Sequence, residues 1–326
     1  MFYTLPNDIL YRICYNNSNN IKKEQILIEE KINLSNLLLV NKTLFNFILI
    51  KYDKLVLCNF QSNYKTMKDK YSKFYEVSIY EDLSIINANK FKNVKKISLH
   101  SCYNITNVSA LQNIQFVDLS NCFELEDVSM LGNCKKLELC NCYKIKNVSN
   151  LGNVSYLDLS YCDKIQDISN LGNQTYLNLK GTNICNVSNL SNVEVLNLSY
   201  NYNIYDISSL KNVKNLDISF CSNIELNTNM NNHTFIAEYT NLVDEDVIYL
   251  KDVINLIIRK NNYISDLSPL IKTKYLDIRQ CKNIRVLSIN TKLDSIDVSR
   301  DNYYYNLIQL GIHDLDIKHI SIDNYY

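Results

Sequence analysis

The chain has 326 residues, and 34 Lys and Arg balance 34 Asp and Glu, so no basic excess exists to collect phosphates and no nucleic-acid partner is expected. Roughly eighteen consecutive apolar residues, the length a membrane span requires, occur nowhere, and Met1-Phe2-Tyr3-Thr4-Leu5-Pro6 lacks the basic flank and apolar run of a secretion signal. Eleven cysteines, an odd number, are expected as free thiols in a reducing compartment, cytoplasmic or nuclear, in a protein that is not secreted.

The first elements are helical. Leu5-Pro6-Asn7-Asp8-Ile9-Leu10-Tyr11-Arg12-Ile13 places Pro and an acid before apolar residues at helical spacing. A second amphipathic stretch runs from Leu34 through Leu37-Leu38-Leu39-Val40-Asn41-Lys42-Thr43-Leu44 to Ile48. Together they resemble an F-box, over about residues 4 to 50, with an opening of the Leu-Pro-x-Asp/Glu-Ile-Leu form. That resemblance implies docking on the Skp adaptor of a cullin-RING ubiquitin ligase. Leu5, Pro6, Ile9, Leu10, Leu38, Val40 and Leu44 would then combine domain core with adaptor contact. The chain departs from the pattern in its long link, Tyr15 to Asn33, and in having Phe45 or Phe47 where the family often has Trp. The other reading makes these helices a cap on the first coil of a repeat stack. Residues 51–75 are expected to connect the helical domain, 1–50, to a repeat region, 76–326.

From there the sequence repeats. Val117-Asp118-Leu119-Ser120-Asn121-Cys122, Leu137-Glu138-Leu139-Cys140-Asn141-Cys142 and Leu157-Asp158-Leu159-Ser160-Tyr161-Cys162 are spaced by twenty residues. The second apolar residue of each unit marks the phase: Ile79, Leu99, Leu119, Leu139, Leu159, Leu179, Leu198, Ile218, Ile258, Ile278, Val298 and Ile317, with Glu238 at one missing step. Alternation sends Val117 and Leu119 inward and Asp118 and Ser120 outward, as in a strand buried on one face. Asp127-Val128-Ser129-Met130-Leu131-Gly132-Asn133 and its echoes predict a short 3-10 turn opposite, capped by Ser and ended by a left-handed Gly.

Ile114-Gln115-Phe116-Val117-Asp118-Leu119-Ser120-Asn121-Cys122-Phe123-Glu124-Leu125 resembles the leucine-rich repeat, L-x-x-L-x-L-x-x-N/C-x-L. The resemblance implies an α/β repeat solenoid, with parallel strands on the concave face and short 3-10 turns on the convex face. The column Cys102, Cys122, Cys142, Cys162, Asn201, Cys221, Asn241, Asn261 and Cys281 is expected to be buried and to donate to backbone carbonyls.

Two outward columns would meet a protein partner, the first of them an acidic stripe that would steer a basic or mixed-charge one. One reads Asp118, Glu138, Asp158, Asn178, Asn197, Asp217, Ala237, Ile257, Asp277, Asp297, Asp316; the other includes Lys180, Tyr239, Arg259, Arg279 and Lys318. Tyr156, Tyr161, Tyr176, Tyr200 and Phe220 flank them, and exposed aromatics beside charge are what interfaces use as anchors. The set Asp118, Glu138, Asp158, Tyr156, Tyr161, Tyr176, Tyr200 and Phe220 is therefore the expected partner-binding face.

Enzyme chemistry is not expected. His100, His233, His313 and His319 are scattered without a nucleophile and orienter, no Gly-rich phosphate loop exists, and Cys134, Cys140 and Cys142 lack a second ligand pair for zinc. No cofactor or metal is expected. The expected function is substrate recruitment to a Skp/cullin-RING ligase by a chain that is monomeric outside the complex; the alternatives are a plain binding scaffold and an adhesin resembling bacterial internalins, whose repeats also end in Asp-Ile-Ser-x-Leu.

Overall fold

The computed structural model describes residues 26–28, 54–58, 75–80, 83, 85–287, 293–299 and 319–323. The two expected helices lie outside these residues, as do Leu5, Pro6, Ile9, Leu10, Leu38, Val40, Leu44, Asp316, Ile317 and Lys318. The chain divides into two compact units, Met1–Leu157 and Asp158–Tyr326.

In the first unit, β1 (Ile26–Ile28), β2 (Lys54–Cys58), β3 (Glu76–Tyr80), β4 (Lys96–Ser98), β5 (Phe116–Asp118) and β6 (Lys136–Glu138) pair in chain order, all parallel. Parallel pairing therefore extends upstream of residue 76, and β1 falls within the long link between the two expected helices. Val77, Ile97, Val117 and Leu137 face one another across four strands and are buried. β7 (Tyr156–Asp158) carries the boundary between the units.

In the second unit, β8 (Tyr176–Asn178), β9 (Val195–Asn197), β10 (Asn215–Asp217), β11 (Thr234–Ile236), β12 (Asn255–Ile257), β13 (Tyr275–Asp277), β14 (Ser295–Ser299) and β15 (His319–Asp323) continue the same parallel scheme. Two registers correct the sequence reading. Leu216 pairs with Phe235 and Phe235 with Leu256, so Phe235 and Ala237 fill the missing step, and Glu238 does not. Spacing here runs nineteen then twenty-one residues, because burying the Phe235 ring outweighs keeping a strict period. The last coil pairs Val298 with Ile322, which displaces Ile317 from the expected series.

Strands of three residues suffice because each inward residue stacks on its equivalent in the next coil, away from water. Leu99, Leu119 and Leu139 in one unit and Leu179, Leu198 and Ile218 in the other are wholly buried, and each such side chain contributes about 1.5–3 kcal/mol. Opposite the strands are the 3-10 turns Ser109–Leu111, Ser129–Leu131, Ser149–Leu151, Ser188–Leu190 and Ser208–Leu210. This parallel strand, bend and 3-10 turn is the leucine-rich-repeat coil.

Ser does not cap these turns. The side-chain oxygen two residues earlier does, accepting from the Ser backbone N–H: Asn107 Oδ1 to Ser109 at 3.0 Å, Asp127 to Ser129 at 2.9 Å, Asp206 to Ser208 at 2.8 Å. Nor are Gly132 (φ −63°) and Gly152 (φ −57°) left-handed, although Gly172 at the equivalent position does take a positive φ of 127°. Gly132 is needed because a Cβ there would run into the carbonyl oxygen of Asn150 in the next coil. The left-handed residue instead follows the strand: Ser101, Asn121 and Asn141 in the first unit, and Tyr161, Gly181, Tyr200, Phe220, Tyr239, Lys260 and Gln280 in the second.

The inward polar column behaves as expected. Cys122 Sγ donates to the Leu99 carbonyl at 3.3 Å, Cys142 to Leu119 at 3.2 Å, Cys221 to Leu198 at 3.2 Å and Cys281 to Ile258 at 2.9 Å. Thr240, not the exposed Asn241, holds this column in its coil, a consequence of the nineteen-residue step. The irregular Asp244-Glu245-Asp246 segment is a stitch between coils: Asp246 accepts from the Leu226 and Val243 amides, and Asp244 from Ser265 and Asp266.

Candidate binding face

The outward residues of β5 to β12 are half-buried, so in each unit they form a rigid surface whose chemistry is fixed by two columns. In the first unit Asp118 accepts from the Ser98 hydroxyl at 2.7 Å and from the Ser120 N–H at 2.9 Å, and Glu138 pairs with Lys136 at 3.0 Å. Lys136 Nζ also stands 4.4 Å from the Tyr156 ring centroid. Glu76, Lys96, Phe116, Asp118, Lys136 and Glu138 line a shallow depression of about 200 Å³.

In the second unit Asp158 accepts from the Ser160 N–H at 2.8 Å and hydroxyl at 2.6 Å, and from Asn178 Nδ2 at 3.0 Å. Asn197 and Asp217 repeat the motif with the amides of Ser199 and Ser219. Where the column expected as an acidic stripe carries Asp118, Asp158, Asn178, Asn197, Asp217 or Asp277, it accepts from the amide two residues on and so holds the bend after the strand. Ala237 does not belong to it; Ile236 does, beside Ile257, and both are half-buried apolar residues. Tyr239 likewise leaves the second column to Glu238.

Further along, Asp277 is wholly buried and accepts from Arg259 Nε at 2.6 Å and Arg279 Nε at 2.9 Å, while Arg259 reaches Glu238 at 3.1 Å. Tyr275 donates to Asp297 at 2.5 Å; burial, then that hydrogen bond, holds its phenol above the ordinary value.

Of the expected aromatics, Tyr156 and Tyr176 open β7 and β8 and are half-buried. Tyr161 is exposed and lies over Gly181, where a Cβ would come within 2.8 Å of its ring. Tyr200 and Phe220 stack at 4.2 Å and 15°, and Phe220 stacks on Tyr239 at 4.5 Å and 25°. Lys180 stands 4.8 Å from the Tyr200 ring and Lys260 4.4 Å from the Tyr239 ring. Sequence reasoning missed this column because it placed Tyr239 one residue out of register; the signal for it was the run of Asn121, Asn141 and Gly181 two residues after the phase marker, types that tolerate positive φ.

The described residues contain no group of three or more His, Cys, Asp or Glu arranged to hold a metal ion, and no helix long and apolar enough to cross a membrane. Burial holds the Cys134, Cys142 and Cys281 thiols up at about 12 and that of Cys221 at about 11.

No protein-family model matches the chain, and no curated protein sequence matches it significantly. Several solved structures are similar. An internalin of Listeria monocytogenes shares 16% identity over 78% of this chain and 84% of its own, with a TM-score of 0.43. The functional domain of InlJ from the same species, which includes a cysteine ladder, shares 17% identity over 85% of this chain and 64% of its own, with a TM-score of 0.45. A leucine-rich-repeat protein of Leptospira interrogans shares 14% identity over 85% and 91%, with a TM-score of 0.42.

Proposed function

We propose that the chain is a non-enzymatic leucine-rich-repeat scaffold that binds another protein through the outward face of its strands. The observation that carries this reading is the stacked Tyr200–Phe220–Tyr239 column beside the half-buried apolar pair Ile236 and Ile257, set on a rigid parallel sheet. Large, rigid aromatic side chains lose little entropy on binding and dominate interface energetics. A photoreactive residue at Asn215, which opens β10 on that face, should crosslink a protein in extracts of the cells that make the chain. The same residue at Lys211, in the turn region opposite, should not. Equal labelling at both positions, or none, would refute the face.

The finer reading is substrate recruitment to a Skp/cullin-RING ligase, supported by the Leu5-Pro6-Asn7-Asp8-Ile9-Leu10 opening and the Leu38, Val40 and Leu44 stretch. In that reading the scaffold acts by proximity, holding a substrate lysine near a ubiquitin-charged enzyme. The purified chain should co-elute with the Skp adaptor, and a Leu5→Asp, Pro6→Ala variant should not. Absence of a complex at micromolar concentrations would leave the scaffold alone.

A further inference from the structure

In the second unit the residues at the strand-end bends form one closed stack: Lys180, Tyr200, Phe220, Tyr239 and Lys260. Both faces of Phe220 are covered by rings, and the outer faces of Tyr200 and Tyr239 are covered by ammonium groups. Only ring edges, phenol oxygens and the ammoniums are left to meet a ligand, Lys180 standing also 5.6 Å from the Tyr161 ring centroid; Tyr239 is 43% exposed. An aromatic ring is negative on its face and positive on its edge, so covering the faces leaves an electropositive rim that also carries O–H donors. Of the nearby carboxylates, Glu238 pairs with Arg259 and Asp277 with two guanidiniums, while Asp158 and Asp217 accept from the Ser160 and Ser219 amides and keep their charge. No carboxylate among the described residues forms an ion pair with Lys180 or Lys260.

We infer that this column binds an extended acidic segment of a partner protein, with carboxylates against Lys180 and Lys260 and small or apolar residues along the ring edges between them. The inference rests on the protein-binding reading above and names the partner's chemistry. Four strand steps separate the two lysines, roughly 19 Å at about 4.8 Å per step, which an extended peptide spans in about six residues. The spacing of the acids is therefore part of the recognition.

The test is fluorescence anisotropy of the full chain with a labelled octapeptide, Glu-Glu-Ala-Pro-Ser-Ala-Glu-Glu, whose acid pairs stand six residues apart. Two controls have every Glu replaced by Lys, or the four Glu residues gathered at the centre. The spaced acidic peptide should bind about tenfold more tightly than the gathered isomer, the Lys peptide should not bind, and added salt should weaken binding. A Lys180→Gln, Lys260→Gln variant with unaltered thermal unfolding should bind about tenfold more weakly. Equal binding of acidic and Lys peptides, or an unaffected variant, overturns the inference. If crosslinking from Asn215 captures a protein that the acidic peptide does not displace, the inference fails and the scaffold reading stands; if nothing is captured, both fail.

Discussion

Asn201 allows the buried polar column to be tested quantitatively. Its side chain is fully buried, its amide donates to the Leu179 carbonyl at 2.7 Å and the Leu198 carbonyl at 2.8 Å, and its Oδ1 accepts from Thr182 at 3.3 Å. Asn201→Ala removes one donor from each carbonyl, leaving Leu179 the Thr182 hydroxyl at 2.7 Å and Leu198 the Cys221 thiol at 3.2 Å, so two hydrogen bonds at about 0.5–1.5 kcal/mol each are lost and a loss of about 1–3 kcal/mol is expected. Asn201→Cys recreates the arrangement of Cys221, whose thiol satisfies the carbonyl of the preceding coil at 3.2 Å. The Leu179 carbonyl then regains its second donor, and about 0.5–1.5 kcal/mol of the loss should return. Equilibrium urea unfolding of the three proteins measures both differences. Because Tyr200 immediately precedes Asn201, the same substitutions should also reduce the near-ultraviolet dichroism of the Tyr200–Phe220 stack, more in Ala than in Cys. If Cys proves as destabilising as Ala, the column holds the bend by shape and not by donation, and hydrogen bonding is not why Asn and Cys occupy it.

The geometry sets three further outcomes. Hydrogen bonds from the side chain and backbone of Ser129 lower the carboxyl of Asp127, and those from the backbone and side chains of Ser169 and Ser208 lower Asp167 and Asp206, all below the usual 3.8. A depressed folded value means stability that is present above pH 3.8 and is lost as pH falls through it toward the folded values; in acid titrations monitored by urea midpoint, the triple Asp→Asn variant should show a shallower decline, since Asn107, Asn147 and Asn186 cap the same turn without charge. Gly181→Ala should destabilise the chain by about 1–2 kcal/mol, and in a Tyr161→Ala background by about 0.5–1.5 kcal/mol less, because the added Cβ meets the Tyr161 ring; additive effects in a double-mutant cycle would refute that contact. Among the cysteines whose burial is described, a maleimide reagent should modify exposed Cys185 first and half-buried Cys140 next, while Cys122, Cys142, Cys221 and Cys281 react only on unfolding; early modification at those positions would contradict their burial.

How much was legible depended on whether a single residue's chemistry or a register decided the matter. The inward leucines, the Cys and Asn column and the short 3-10 turns come from alternation and a twenty-residue period, because stacking at strand spacing makes equivalent residues touch. The capping Asx and the left-handed residue after the strand were not read, although both recur. Ser lies beside the cap and Gly beside the turn, and propensity alone assigns them roles that Asp127 and Tyr161 fill. Where a coil changes length, pattern matching slipped by one: Phe235 and Ala237 are inward only because Leu216 and Leu256 hold them there, a tertiary constraint that no local signal carries.

That one-residue slip bears on the binding face as well. With Tyr239 assigned to the neighbouring column, the aromatics looked like scattered flanks of an acidic stripe, and the stripe looked like the ligand-steering element. In the correct register the roles exchange. An Asp or Asn at the strand's outer end accepts from the amide two residues on, at 2.8 to 2.9 Å in Asp158, Asn197 and Asp217, which tightens the bend and leaves little for a basic partner. The residue after that amide is left-handed, and in consecutive coils Tyr200 and Phe220, with Tyr239 after the apolar Ile236, line up in one stack. The lysines that cover the outer ring faces of the aromatic column give it the sign opposite to the stripe. Charge read from a column of letters predicts a basic or mixed-charge partner; the lysines at the two ends of the aromatic stack favour an acidic one.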